Sequence, residues 1–190
     1  MPANCDISSG RTLPCKQGSA GLLGVYFLNR DADLAITYDV TDPTLIADIQ
    51  TGDPAGAATF YKYELDNDGA NYTENLNADR NNGTFFYEQV VTMALQSLQE
   101  QDKPQFDNLA KGRPLAVIHY RNGKAVLAGI SRGLDTSGNN ASGGALGDFQ
   151  GYTLTLTANE HSYAPFLLGA TVDDPFAGLS TTPTINDGSA

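Results

Sequence analysis

The chain has 190 residues, and its 11 basic and 22 acidic side chains give a formal net charge of −11. A protein that grips nucleic-acid phosphates normally carries the opposite charge, so this balance argues against such a binder. Only 17% of the residues are charged, and there are 20 glycines and no tryptophan. Length and composition predict one β-rich domain with long turns over residues 1–170, followed by an acidic, poorly patterned tail over residues 171–190.

The start of the chain gives no indication of targeting. Met1–Asp6 lacks a basic region followed by an apolar one, so we expect no signal peptide. No apolar run approaches the roughly 20 residues of a membrane helix. Without secretion, Cys5 and Cys15 are expected to be free thiols rather than a disulfide. His119 and His161 lie far from both cysteines in sequence, so we expect no metal site.

The first half of the chain reads as a series of strands. Alternating or continuous apolar patterns predict strands at residues 22–28, 34–40, 45–49 and 59–65. Asp66-Asn-Asp-Gly69 predicts a tight turn rather than a calcium loop, because the later ligands of such a loop are missing. Residues 71–79 are polar and predict an extended edge segment.

The longest predicted strand runs from Thr84 to about Leu98. Its aromatic and β-branched beginning favours a strand over a helix. One face carries Phe85, Tyr87, Val91, Met93 and Leu95. At about 3.3 Å per residue such a strand is roughly 45 Å long, which is more than a single globule of this size needs.

One short helix is predicted from Asp102 to about Ala110. Asp102 is the expected N-cap, Pro104 suits the first turn, and Gly112 ends the helix. Its apolar stripe consists of Phe106, Leu109 and Ala110.

A β-hairpin is predicted around Asn122-Gly123. Apolar runs at 114–120 and 125–130 flank this dipeptide, which favours a type I′ turn that pairs Tyr120 with Ala125. Both faces of the hairpin are apolar, so both must be covered, one by a second sheet.

A flexible, structureless loop is predicted from Leu134 to Gly147, between strands expected in one sheet. Residues 151–158 then alternate strictly and predict a strand, and residues 162–168 are expected to dock on the core. From Thr171 onward we expect an extended or mobile segment that a neighbour could order. The loop is the predicted assembly interface, with contact residues Leu134, Asp135, Asn139, Asn140, Leu146 and Asp148.

A search for catalytic patterns finds no phosphate-binding loop, nucleophile elbow or metal-binding helix motif. His119 lies on an apolar strand and is expected to be a satisfied core or interface histidine. Asp135 and Asp148 are expected to be turn or cap residues rather than an acid/base pair. We therefore expect a surface for assembly, with no catalytic residue, cofactor or metal.

The order of these parts resembles tail-tube-type structural proteins of tailed bacteriophages, especially a group from phages of marine bacteria and Bacteroidetes. The resemblance covers about residues 5–168 and includes the lead Cys5-Asp-Ile-Ser-Ser-Gly10, Cys15 and Gly21-Leu-Leu-Gly24, and the strand Gly151-Tyr-Thr-Leu-Thr-Leu-Thr157 followed by Glu160. It implies a β-sandwich or barrel with one flanking helix and long loops.

The resemblance also implies a function. Subunits would form rings, usually hexameric, that stack into a virion tail tube, contact other tail or neck proteins, and let DNA pass as a transient, non-specific passenger. The tube would be assembled in the host cytoplasm, without a membrane. Its lumen should be acidic or neutral, so a lining made mainly of Lys62, Arg80, Lys111 and Arg121 would contradict this reading.

Three other functions stay open at this level. A ring at the neck or portal, and a capsid-decorating or head-fibre protein, are structural alternatives. A carbohydrate-binding β-sandwich module is the third, and its exposed aromatic side chains would be Tyr61, Tyr63, Tyr72 and Tyr163.

Overall fold

A computed structural model describes residues 10–12, 19–52, 55–65, 69–100 and 102–188. Cys5, Cys15 and most of the turn predicted at Asp66–Gly69 lie outside the described residues. The strands in chain order are β1 (Leu22–Leu28), β2 (Ala35–Tyr38), β3 (Leu45–Thr51), β4 (Gly56–Ala57), β5 (Thr59–Glu64), β6 (Asn71–Asp79), β7 (Thr84–Gln96), β8 (Leu115–Tyr120), β9 (Ala125–Ala128), β10 (Asp135–Ala141), β11 (Gly151–Glu160), β12 (Phe166–Leu167) and β13 (Thr184–Asn186). The helix α1 (Asp102–Gly112) lies between β7 and β8.

The strands form two sheets. Sheet A has nine strands in the order β13-β5-β1-β8-β9-β12-β3-β2, with β4 also paired to β3. Sheet B has four strands in the order β10-β11-β7-β6, and all its neighbours are antiparallel. This arrangement confirms the predicted fold class, a mainly-β sandwich-like fold with a short flanking helix.

The β8–β9 hairpin has a core on each side, as its two apolar faces predicted. Ile118 and Val126 belong to the core between the sheets, together with Val91 and Leu156 of sheet B. The opposite face packs into a second core within sheet A, whose members include Leu115, Val117, Leu127, Phe60 and Phe176. The hairpin is therefore the central element of the fold, because it contributes to both cores.

The register of this hairpin differs by one residue from the type I′ prediction. His119 pairs with Ala125 and Ile118 with Val126. The backbone N–H of Gly123 donates to the Tyr120 carbonyl at 3.0 Å, and that of Tyr120 donates to the Lys124 carbonyl at 2.9 Å. Gly123 has a φ of +79° and Asn122 is not in the left-handed region. The connection is thus a three-residue loop with a glycine bulge, which shifts the pairing.

The predicted loop from Leu134 to Gly147 is mostly not a loop. Leu134 is 0% exposed and belongs to the core between the sheets. Asp135–Ala141 forms β10, paired along its whole length with β11. The prediction that one sheet contains the strands on both sides is also wrong, because β9 lies in sheet A and β11 in sheet B. Pairing with the Thr-rich strand β11 overrides the low strand propensity of Gly, Asn and Asp.

The C-terminal segment packs on sheet A rather than extending from the domain. Phe176 is 5% exposed, and its ring centroid lies 5.2 Å from that of Tyr26 and 4.6 Å from that of Phe60. Further along, β13 pairs in parallel with β5. Phe176, the single aromatic residue of a polar stretch, holds the segment on sheet A. The average composition of the segment does not predict this contact, because it depends on one residue.

The helix closes one side of the sandwich. It begins at Asp102, as predicted, and its apolar stripe of Phe106 and Leu109 packs against the core between the sheets. The Phe106 ring lies 4.7 Å from the Tyr152 ring of β11. Thr136 of β10 also donates a hydrogen bond to the Leu109 carbonyl at 3.3 Å. The helix therefore supports the β10 edge of sheet B.

Candidate assembly surface

Sheet B has an inner face on the core and an outer face that no other described layer covers. Along β11, Leu154 and Leu156 are buried while Thr153, Thr155 and Thr157 are partly exposed, in the period-two pattern of a half-buried sheet. The register places further outer-face residues beside them. These are Asn71, Thr73, Asn75, Asn77 and Asp79 on β6, Thr84, Phe86, Glu88, Val90, Thr92, Ala94 and Gln96 on β7, Asn159 on β11, and Asp135, Ser137, Asn139 and Ala141 on β10.

The strands of this outer face contribute no cationic side chain. None of the four strands of sheet B includes a lysine or arginine, whereas Asp79, Glu88 and Asp135 are acidic. Of the basic residues named above, Lys62 is on β5, Lys111 is on α1 and Arg121 is in the β8–β9 turn, whereas Arg80 lies in the turn between β6 and β7, beyond the strands. The strand residues of the outer face are therefore mostly polar and uncharged, and those that carry charge are acidic.

The two edges of sheet B are long, and most of their residues are exposed. β6 has nine residues and β10 has seven, and both pair with their inner neighbours without a bulge. Neither strand contains lysine or proline, which natural proteins use to block further pairing at an edge. The sheet A edges differ, since β13 has three residues and β2 has four residues and a register shift. Open hydrogen-bonding edges are thus concentrated on sheet B.

The structure separates the predicted interface residues into three groups. Asp135, Asn139 and Asn140 lie exposed on the β10 edge, so sheet B brings them together. Leu134 was predicted to contact a neighbour and is instead a core residue. The side chain of Asp135 also forms an exposed ion pair with Arg113, with 3.1 Å between Oδ1 and Nε.

The remaining two residues, Leu146 and Asp148, lie in the turn between β10 and β11. Oδ2 of Asp148 accepts the backbone N–H of Gly144 at 2.8 Å and that of Ala145 at 2.7 Å. These hydrogen bonds favour the carboxylate and lower the pKa of Asp148. Asp148 is therefore a turn residue, as predicted, and it fixes a turn whose Leu146 side chain is 111% exposed.

Asn122 and Gly123 lie away from sheet B. They form the β8–β9 turn, where Oδ1 of Asn122 accepts the Lys124 N–H at 3.0 Å. Gly123 is buried against the backbone of Val172. The hairpin turn is thus covered by the C-terminal segment of its own chain.

The connection between β6 and β7 extends beyond the sandwich and carries exposed apolar side chains. Phe85 is 59% exposed, and Leu76 and Phe86 are also exposed. Tyr87 contacts the exposed Tyr163 ring at a centroid distance of 4.1 Å. We call residues 76–87 the hairpin tip. Its exposure agrees with the expectation that this strand is longer than its own globule.

A buried polar network, not predicted from the sequence, joins the two sheets. Nε2 of Gln89 donates to Oε1 of Glu74 at 2.9 Å, and the same oxygen accepts the Ala164 N–H at 2.7 Å. The carboxylate of Glu160 accepts the N–H groups of Ser131 and Arg132, each at 3.0 Å to Oε1. The available signal was Gln89 itself, a polar residue at a core-facing position between Tyr87 and Val91.

His119 is a structural residue, as predicted. It is 2% exposed, and its Nε2 lies 2.8 Å from the Thr171 carbonyl, so this nitrogen carries the proton and donates. The bond holds the start of the C-terminal segment against β8. This arrangement uses the imidazole to fasten two parts of the chain.

The four tyrosines of the carbohydrate-binding alternative do not form one platform. Tyr63 and Tyr72 pack against the core between the sheets, and the Tyr63 ring lies 5.0 Å from that of Phe27. Tyr61 and Tyr163 are exposed, on β5 and after β11 respectively. Of the residues that the structure describes, no three His, Cys, Asp or Glu converge as a metal site.

We compared the chain with protein-family models, with curated proteins and with solved structures, and none of them matches it. Within the described ranges, no helix combines the length and apolar character that crossing a bilayer requires.

Proposed function

We propose that this protein is a structural, non-catalytic subunit of a bacteriophage tail tube, which assembles into rings that stack as a conduit for DNA. The observation that carries the proposal is the combination of two features on sheet B. Its two edges are long, regular and largely exposed, and its four strands contain no lysine or arginine. The resemblance in residue pattern described above points to the same role.

Edge pairing gives a ring geometry. Neighbours in sheet B are antiparallel throughout, so β6 of one copy and β10 of the next can pair without breaking the alternation. Such a contact is head-to-tail, and a head-to-tail contact closes into a ring when the rotation per copy allows it. A closed ring also removes both open edges, as in any barrel.

The outer face suits a passage for DNA. In a ring made this way, one face of the joined sheets would line the central channel, and the inner face of sheet B is already occupied by the core. A lining of Thr, Ser and Asn with a few carboxylates offers phosphates no ion pair, so DNA would move without being retained. Location in the virion, with tail or neck proteins as partners, is part of this proposal.

Electron microscopy of the purified protein, together with edge variants, tests the proposal. Asn139→Lys on β10 and Asn75→Lys on β6 each place a lysine on an edge strand and should abolish rings. Thr37→Lys on the edge strand β2 of sheet A is the matched control and should leave rings intact. Compact monomers of the wild-type protein, or closed rings in both sheet B variants, would contradict the proposal.

A further inference from the structure

Sheet B has two structurally different ends, and its strand directions place them far apart. Gly151 of β11 pairs with Gln96 of β7, so the turn between β10 and β11 lies at the Gln96 end. The hairpin tip lies beyond the opposite end, where Glu160 pairs with Tyr87. β7 has 13 residues, and at about 3.3 Å per residue the two ends are roughly 40 Å apart.

A hollow of about 240 Å³ lies beside the hairpin tip. Its lining residues are Phe86, Arg132, Asn159, Glu160 and His161. Phe86 supplies an exposed apolar wall, Arg132 an exposed guanidinium and His161 an exposed imidazole. Among the described residues, no carboxylate lies within ion-pair distance of the Arg132 guanidinium.

The Glu160 carboxylate also lines this hollow, but it is largely satisfied within the chain. Glu160 is buried, and its two oxygens accept the backbone N–H groups of Ser131 and Arg132. The accessible side chains of the hollow are therefore apolar, basic or, at Asn159, a neutral amide, and none of them is acidic. That is unusual in a chain with a net charge of −11.

The opposite end of sheet B presents complementary chemistry. Leu146 projects fully into solvent, and the exposed carboxylate of Asp148 lies two residues away in the same turn. The bonds from Gly144 and Ala145 to Asp148 fix this turn before any contact forms. A pre-ordered turn loses little conformational entropy on binding.

We infer that the turn of residues 142–149 of one copy binds the hollow beside the hairpin tip of a second copy, with Leu146 against Phe86 and Asp148 facing Arg132 and His161. The inference rests on the proposed function and adds the axial contact to it. In a ring closed through β6 and β10, the strand edges are used sideways and the strand ends point toward the rings above and below. The edges of sheet B would thus close each ring, and the turn of residues 142–149 with the hollow would join one ring to the next.

Cysteine cross-linking tests the contact directly. In a chain with Cys5→Ser and Cys15→Ser, Phe86→Cys combined with Leu146→Cys should give a ladder of covalent oligomers under oxidising conditions. Each chain then carries both halves of the contact, and a disulfide forms only where the two Cα atoms approach to about 4.4–6.8 Å. Each single cysteine should stop at dimers. Phe86→Cys with Val40→Cys, a fully exposed site in the connection between β2 and β3, should give no ladder.

Stack length measured by electron microscopy is the second readout. Leu146→Ser should leave single rings intact and raise the protein concentration needed for stacking about tenfold or more, because burial of a leucine side chain is worth at least that factor. Val40→Ser should stack like the wild-type protein.

The outcomes separate the inference from the proposed function. Rings without a ladder, or normal stacking of Leu146→Ser, overturn the contact and leave the ring intact. If the double-cysteine variant gives a ladder but the wild-type protein never closes rings, the contact is supported and the tube is overturned. Monomers without a ladder overturn both.

Discussion

The side chain of Gln89 and the backbone of Gly129 connect sheet B to the end of β9 in sheet A. The Gly129 N–H donates to Oε1 of Gln89 at 3.0 Å, and Gln89 is 1% exposed. The same amide donates through Nε2 to Glu74. One buried side chain therefore satisfies a donor on one sheet and an acceptor on the other.

Replacing Gln89 with methionine keeps the volume and removes both hydrogen bonds. The buried Gly129 N–H and the partly buried Glu74 carboxylate each lose a partner, so we expect the free energy of unfolding to fall by about 2–4 kcal/mol. Urea denaturation measures this difference. Gln96→Met, at the exposed end of the same strand, should change stability by less than about 0.5 kcal/mol. Equal effects of the two substitutions would contradict a structural role for the network.

Within the C-terminal segment, substitution of Phe176 should lower the free energy of unfolding most. Phe176→Ala removes a buried ring that packs against Tyr26 and Phe60, and we expect a loss of about 3–5 kcal/mol of unfolding free energy. Ile185→Ala, on the exposed strand β13, should cost much less. If both variants melt at the wild-type temperature, the segment does not contribute to the core in solution.

Valine substitutions at Gly123 and Gly83 separate the stability cost of backbone strain from that of steric crowding. Both have positive φ, but a side chain at Gly83 meets no atom within 4 Å, whereas a Cβ at Gly123 would lie 3.0 Å from the Val172 nitrogen. Gly83→Val should therefore cost about 1–3 kcal/mol from strain alone. Gly123→Val should cost more and reduce soluble yield. An unchanged melting temperature for Gly123→Val would contradict the turn described here.

Stability should decline at alkaline pH because of two tyrosines in the core. Burial, with the nearby Glu74 carboxylate as a smaller cause, raises the pKa of Tyr120 to about 12 and raises the pKa of Tyr72 as well. A tyrosine whose pKa is raised by folding holds its proton more tightly in the folded state. Its contribution is complete below its ordinary pKa of about 10 and is lost as the pH rises through the folded value.

Urea denaturation between about pH 9 and pH 11.5 checks this pH dependence. We expect wild-type stability to fall by at most about 1.4 kcal/mol per pH unit for each of the two tyrosines. Tyr120→Phe cannot ionise at this position, so its stability should fall less steeply. The same slope in the variant would show that other groups cause the loss.

Local sequence signals predicted most of the strands. Four strands, β1, β6, β7 and β11, are close to their predicted ranges. Apolar patterns with aromatic or β-branched residues indicate β1, β7 and β11. A long polar run between two turns indicates β6. α1 also begins at its predicted cap, Asp102.

The failures concern pairing across the chain. β10 is a strand only because β11 pairs with it, and its own Gly, Asn and Ser residues predict a loop. The hairpin register depends on whether both Asn122 and Gly123, or Gly123 alone, take a positive φ. The Asn-Gly dipeptide is compatible with the two-residue type I′ turn and with the three-residue loop that is observed. For the proposed assembly contacts, the sequence predicted Leu146 and residues of β10 as candidates. It did not predict the hollow at the hairpin tip, because β7, β11 and the segment after β9 combine to form it.

Lysine side chains are unevenly distributed over the two sheets. The lysines of the described residues lie on β5, on α1 and in the β8–β9 turn, at positions 62, 103, 111 and 124, and sheet B has none. Acylation of these four lysines would therefore attach dyes, resins or sensor surfaces away from the outer face of sheet B. Coupling through these lysines should orient the protein on a surface, with the threonine-lined face and both edges of sheet B left accessible.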